Sequence, residues 1–342
     1  MTDERYGLLD GAIAPELNTR LFGHEAAEDF LAQAYRSGKG HHAILVEGPE
    51  GIGKATLAFR FANHVLSHPD PLSAPDHLQD PDPKSLVSRQ LASGASHNLL
   101  YLTRPVDEKS GKVKSAITID EVRKAGYFFG TTSGTGNWRI VIIDPADDLN
   151  RNAANAILKL LEEPPKRAMF LVLSHAPGRL LPTIRSRCQT LRLTALDDAA
   201  MSQTLAHLGL RMDPEKAADL LKISGGSVSQ ALKVLNYGGL DIIAAFEEAL
   251  REKGPAARKA THRLADVLSG KDSDVAFGFF MDHLGGHLME RARLAAHAGA
   301  LDEADRLARF SSGIAERLTI SSAYNLDRKQ TILDLFTDLA EL

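Results

Sequence analysis

The sequence predicts an α/β fold built on a mostly parallel sheet that carries a phosphate-binding loop, followed by two all-helical parts. Three observations lead there. Short apolar runs alternate with helical patterns through residues 1–195, the arrangement that puts helices on both faces of a parallel sheet. Residues 48–55 read Gly-Pro-Glu-Gly-Ile-Gly-Lys-Ala between a strand and a helix, the context in which a Gly-rich loop cradles phosphate. After residue 195 the strand signals stop and helical periodicity takes over.

The elements follow in order. Residues 42–47 are a continuous apolar run that feeds the Gly-rich loop and reads as a buried strand. Residues 54–66 read as a helix with Leu57, Phe61 and Val65 on one face. The Pro-, Asp- and Ser-rich stretch 68–84 predicts a mobile loop. Residues 98–103 read as a second strand. Residues 119–129 read as a helix that Thr118 caps, with Glu121 placed for a capping box. Residues 139–143 make a third strand and 131–137 the loop before it. Residues 151–162 form a helix stopped by Pro164 and Pro165; 169–173 and 189–193 complete the strands. Residues 197–236 hold three short helices. From about 240 onward the chain is helical, with breaks at Gly254-Pro255, Ser269-Gly270 and Ala298-Gly299-Ala300. There is no internal repeat. The expected domains are 1–195, an α/β nucleotide-binding core; 196–238, a small helical lid; and 239–342, a helical C-terminal domain.

Composition narrows the function. The chain has 342 residues, 44% hydrophobic and 25% charged, with a formal charge of −4. A protein that held DNA alone through its phosphates would be basic, so nucleic acid as sole partner is disfavoured. One cysteine, Cys188, allows neither an internal disulfide nor a cysteine-rich metal site. No apolar run spans a bilayer and the first residues lack the apolar core of a signal peptide, so a cytoplasmic location is expected.

The chemistry-bearing motifs are incomplete. The phosphate loop needs glycines for backbone N–H groups, a lysine for the β- and γ-phosphates, and a Ser or Thr hydroxyl for Mg²⁺. Gly48, Gly51, Gly53 and Lys54 are present; Ala55 stands where the hydroxyl belongs. Thr56 is one residue further, about 100° around the helix. Asp144 closes the strand 139–143, where a Mg²⁺-holding aspartate sits in phosphate-loop enzymes. The next residue, Pro145, has no group to activate water. In the lid, Ser229 occupies a position at which a nucleotide-sensing arginine is expected. Ser186-Arg187-Cys188, at the end of the α/β core, is the most specific string. A guanidinium there is suited to a neighbouring subunit's γ-phosphate, while a bland reading makes it a surface arginine. Cys188 reads as a small buried apolar residue. In the helix 151–162, Ile157, Leu158 and Leu161 read as core, with Asn155 and Lys159 left as polar candidates. The histidines, including His41, His42 and His175, have no metal spacing and read as structural.

Taken together these residues resemble the AAA+ clamp-loader family of bacterial DNA polymerase III. Leu21-Phe22-Gly23-His24, the Gly-rich loop, the run from Asn152 to Pro165 with its Leu-Glu-Glu-Pro-Pro ending, Ser-Arg-Cys, and Asn325-Leu326-Asp327 carry the resemblance across nearly the whole chain. It implies an AAA+ core with lid and a helical collar that holds an oligomer. It implies a DNA-replication role within a DNA-directed DNA polymerase, a nucleotidyltransferase complex: a hetero-oligomeric loader that places the sliding clamp on primed DNA. The implied partners are the gamma/tau ATPase subunit, the delta subunit, the clamp and, through the complex, DNA; no membrane is involved. Ala55, Pro145 and Ser229 favour a subunit without independent catalysis, whose Arg187, flanked by Ser186 and Cys188, completes a neighbour's ATP site as a trans arginine finger. A weakly active ATPase of the gamma/tau kind stays open because Lys54 is intact. ATP is thus bound weakly or not at all. Many subunits of this family carry a four-cysteine zinc module; the corresponding stretch 68–98 has no cysteine, so no zinc is expected.

Overall fold

A computed structural model describes residues 8–107, 113–130, 136–210, 214–270, 273–324 and 326–340. The chain divides into two compact units, Met1–Ser229 and Gln230–Leu342.

The first unit is built on five parallel strands: β1 (Ala43–Glu47), β2 (Leu99–Leu102), β3 (Arg139–Ile143), β4 (Ala168–Ser174) and β5 (Gln189–Arg192), in spatial order β2-β3-β4-β1-β5. β1, β3 and β4 are buried along their whole length, which explains why they read as continuous apolar runs rather than alternating ones. The two-residue period is visible in what each side chain touches. Ile44, Val46, Ile140, Ile142, Met169, Leu171 and Leu173 pack on one face with α1 (Glu25–Arg36) and α2 (Lys54–Ser67). Ala43, Leu45, Val141, Ile143, Phe170 and Val172 pack on the other, against α4 (Ile119–Gly130) and α5 (Arg151–Glu162). A short helix α3 (Leu86–Ala92) lies between α2 and β2.

The predicted strands and main helices are present, with ends shifted by a residue or so. Leu57, Phe61 and Val65 are buried as expected. Asn150, whose side chain accepts from the Ala153 N–H at 2.9 Å, caps α5. The loop predicted over 131–137 falls largely outside the described residues. The stretch 68–84, expected to be a mobile loop, is instead tied down. Tyr35 donates to the His68 carbonyl at 2.6 Å, the Trp138 indole to the Pro69 carbonyl at 3.1 Å, and Arg60 to Asp80 at 2.9 Å, while Ala74 and Leu78 are buried. Its prolines and aspartates signalled a turn-rich path. The anchors come from residues far away in sequence, which local composition does not reveal.

α6 (Pro182–Arg185) precedes β5. Then α7 (Asp198–His207), α8 (Pro214–Ser224) and the start of α9 (Val228–Asn236) complete the unit. The second unit is helical among its described residues: the remainder of α9, then α10 (Gly239–Arg251), α11 (Pro255–Leu268), α12 (Asp274–His297), α13 (Leu301–Tyr324) and α14 (Arg328–Leu339). Its helices meet around Phe246, whose ring stands edge-on to Phe280, His283, His287 and Phe336. Asp327 caps α14 by accepting from the Gln330 N–H; Asn325, named in the same string, lies outside the described residues. Among those residues no helix is long and apolar enough to cross a membrane.

Candidate nucleotide loop and the Ser-Arg-Cys arginine

β1 ends at Glu47 and the chain turns through Gly48–Gly53 into α2, so the loop lies at the C-terminal edge of the sheet, at the foot of a helix. Gly51 (φ 74°) and Gly53 (φ 101°) adopt left-handed backbone conformations that suit glycine. These features make a phosphate loop in shape.

Its interior is filled from within the chain. Lys54 is 3% exposed, and its ammonium donates to the Gly48 carbonyl at 2.7 Å and also to the Pro49 carbonyl. Burial pushes its pKa down to about 8, against the opposing pull of Asp144, Glu50 and Asp147. From the segment that opens α9, Ser227 Oγ donates to the Glu50 carbonyl at 2.8 Å and the Val228 N–H to the Gly51 carbonyl at 2.9 Å. Ser229 stands over Gly51, with its Oγ 3.1 Å from Ser227 Oγ. From the N-terminal side, the His24 ring bonds the Ile52 carbonyl at 2.8 Å through Nε2, and Leu21 packs on Gly53. Burial lowers the His24 pKa.

The metal side of the site is also altered. Ala55 has no hydroxyl, and Thr56 is buried within α2. Asp144 follows β3 on the loop's edge of the sheet, but its Oδ2 accepts from the Tyr101 hydroxyl at 2.6 Å, and burial raises its pKa despite that bond. Asp147 accepts from the Ser174 hydroxyl at 2.7 Å and the His175 N–H at 2.6 Å, a structural knot at the end of β4. A hydrated Mg²⁺ with a triphosphate calls for an ionised carboxylate and a hydroxyl. This donor set, with Ala55, a Tyr101-bound Asp144 and Pro145, does not fit one. Among the described residues no cluster of three or more His, Cys, Asp or Glu side chains can hold a metal ion.

His175, read as structural from sequence, stands beside the same group. Burial lowers its pKa, Lys54 lowers it further, and Glu50, Asp144 and Asp147 oppose the shift. The roles of Tyr101, His24 and Ser227 were not legible either. Only the Leu-Phe-Gly-His string carried a signal, and then as a signature without an assigned contact.

Ser186-Arg187-Cys188 follows α6. Ile184 is buried, and Cys188 packs on the same core, its thiol pushed up to about 11 by burial. That agrees with the apolar reading of Cys188. Between these anchors the Arg187 side chain is 35% exposed. Its Nη1 donates to the Thr183 carbonyl at 2.9 Å and its Nη2 pairs with Glu162 Oε1 at 2.6 Å. Arg187 precedes β5, which pairs in parallel with β1 (Ile44 opposite Gln189, Glu47 opposite Arg192). It therefore lies at the N-terminal edge of the sheet and the Gly-rich loop at the C-terminal edge. β5 alone separates the two by roughly 13 Å at about 3.3 Å per residue.

A parallel sheet in this strand order, a Gly-rich loop with its lysine after the buried β1, and an aspartate after β3 define an AAA+-type phosphate-loop protein. A family model described as "DNA polymerase III, delta subunit" matches residues 23–197. DNA polymerase III subunit delta' of Pseudomonas aeruginosa is 35% identical over 243 residues, covering 70% of this chain and 70% of that protein. Subunit delta' of Escherichia coli is 29% identical over 203 residues, 59% of this chain and 57% of that one. The tau subunit of Escherichia coli is 27% identical over 233 residues, 67% of this chain but only 34% of tau. The chain belongs to the DNA polymerase III delta-subunit family. It is a clamp-loader subunit, as the resemblance implied.

Proposed function

We propose that this chain is the delta-prime-type member of a hetero-oligomeric clamp loader, without independent hydrolysis, and that it supplies Arg187 to the nucleotide site of an adjacent ATPase subunit. In this reading 1–195 is the AAA+ core, 196–238 the lid and 239–342 the oligomerising collar. The complex works in the cytoplasm and meets the sliding clamp and primed DNA through its assembled form. The relatives named delta' support the subunit type.

One observation carries the arginine's role: Arg187 and the chain's own Gly-rich loop stand at opposite edges of the β1–β5 pair. The separation is well beyond the length of an arginine side chain, so Arg187 has no phosphate site of its own to serve. The loop meanwhile spends Lys54 on Gly48 and Pro49 and is covered by Ser227 and Ser229. A guanidinium that neutralises charge on a transferring phosphoryl group is worth about 10³–10⁵ in rate in related systems. That is reason for a subunit without chemistry to keep one.

The test is the whole loader assembled with Arg187→Ala. Turnover at the adjacent site should fall by about 10² or more; unchanged ATP hydrolysis rejects the trans role. Lys54 keeps the gamma/tau-like reading, a weak ATPase, worth one measurement. Hydrolysis by the isolated chain that Lys54→Ala abolishes would establish that reading in place of the first.

A further inference from the structure

We infer that Glu162 is the positioning residue for Arg187: it holds the guanidinium in a set direction at the subunit edge, and the Thr183 carbonyl assists. The inference rests on the trans role proposed above.

Glu162 is the last residue of α5; Glu163 caps the helix and Pro164 and Pro165 follow. Leu161 beside it is buried in the core, so the backbone that carries the carboxylate is fixed. A carboxylate in the last helical turn sits at the negative end of the helix dipole and is disfavoured there by the helix itself. Its compensation is the bond from Glu162 Oε1 to Arg187 Nη2 at 2.6 Å. The pair is 46% and 35% exposed, so it adds little to fold stability. What it restricts is the arginine. A long side chain with large rotamer freedom is bound at both Nη atoms, Nη2 to Glu162 and Nη1 to Thr183.

The remaining donors decide what this restraint does. A guanidinium has five N–H groups. Two are engaged, leaving one on each Nη and that on Nε to face an anion. Arg187 is thus directed without being consumed, and the chain itself bears the entropy of ordering the side chain before any phosphate arrives. The turn that carries it is fixed separately by buried Ile184 and by Cys188. Glu162 therefore sets the direction of the side chain, and Ile184 and Cys188 set the place of its backbone.

The experiment uses the assembled loader with clamp and primed DNA, comparing Glu162→Ala, Glu162→Gln, Arg187→Ala and the double variant Glu162→Ala/Arg187→Ala. Glu162→Ala should lower kcat about tenfold, a part of the arginine's own effect, with KM for ATP within about twofold. Glu162→Gln keeps an acceptor oxygen and should fall between it and wild type. In the Arg187→Ala background Glu162→Ala should add nothing, because it acts only through that guanidinium. Three results overturn the inference while leaving the trans role standing. They are an unchanged kcat for Glu162→Ala beside a large loss for Arg187→Ala, a raised kcat for Glu162→Ala, and an equal further loss in the double variant. If Arg187→Ala itself has no effect, the trans role fails and the inference falls with it.

Discussion

Ser229 occupies the space that a side chain on Gly51 would need: an ideal Cβ at Gly51 would lie 2.0 Å from Ser229 Oγ and 2.6 Å from Ser229 Cβ. The serine in place of the expected lid arginine is therefore a packing residue that rests directly on the Gly-rich loop. Gly51→Ala combines that clash with a left-handed backbone at φ 74°. It should cost about 2–4 kcal/mol of unfolding free energy, measured by chemical denaturation. Adding Ser229→Gly should recover the part of the packing cost that Ser229 imposes and leave the backbone part and the 2.6 Å approach to Ser227 Oγ. A midpoint unaffected by Gly51→Ala would show that Ser227 and Ser229 do not pack on the loop.

Lys54 makes the stability pH-dependent in an uncommon direction. Its pKa is about 8 in the folded chain and that of an ordinary lysine when unfolded, about 10.4. Between these values the unfolded chain holds a proton that the folded chain has released. Stability from this residue therefore rises as pH goes from 8 to 10.4, and at neutral pH the buried charge costs about 3 kcal/mol. Compared with Lys54→Met, the wild-type chain should gain unfolding free energy between pH 7 and pH 10. Parallel curves for the two proteins would refute this.

His64 acts at the acid end. It is buried in α2, neither ring nitrogen has a hydrogen-bond partner, and burial lowers its pKa to about 4, with His68 and His77 adding to the shift. The unfolded chain takes up a proton below about 6.5 that the folded chain refuses. Stability should thus fall as pH drops from 6.5 to 4, by up to about 3 kcal/mol. His64→Leu should flatten that limb of the pH profile; an unchanged slope would assign the acid sensitivity elsewhere.

Arg60 joins three segments. It is 3% exposed and donates to Glu28 at 2.5 Å, to the Thr19 carbonyl and to Asp80 at 2.9 Å. Glu28 is itself buried, with its pKa raised by burial and lowered by Arg60. Arg60→Met should cost about 3–5 kcal/mol by leaving that carboxylate without its partner. The stretch around Asp80 should also become more open to limited proteolysis. If the double variant Arg60→Met/Glu28→Gln is no more stable than Arg60→Met alone, the stranded carboxylate is not the cause.

These residues mark where sequence reading succeeds and where it stops. β3 and α5 were legible to the residue because an unbroken apolar run and a proline pair are local signals. The phosphate-loop shape was legible because the spacing of its glycines sets the backbone path into α2. Arg60, by contrast, is one basic residue in an apolar helix, and its three partners arrive from Thr19, Glu28 and Asp80. The anchoring of 68–84 through Tyr35 and Trp138 is equally nonlocal. Ala55 and Pro145 showed that parts were missing. That Lys54 turns back on the Gly48 carbonyl required the folded path of the loop backbone, and that Tyr101 holds Asp144 required β2 and the end of β3 to be seen side by side.

The parallel pairing of β1 with β5 gives the first unit a direction. One rim carries the Gly-rich loop with Lys54 turned onto Gly48 and Pro49, and the opposite rim carries Arg187 paired with Glu162. Subunits that meet rim to opposite rim make head-to-tail contacts, which continue until something stops them. On the role proposed for Arg187, a protomer that gives at one rim without receiving at the other would be such a stop, the end of a row of nucleotide sites.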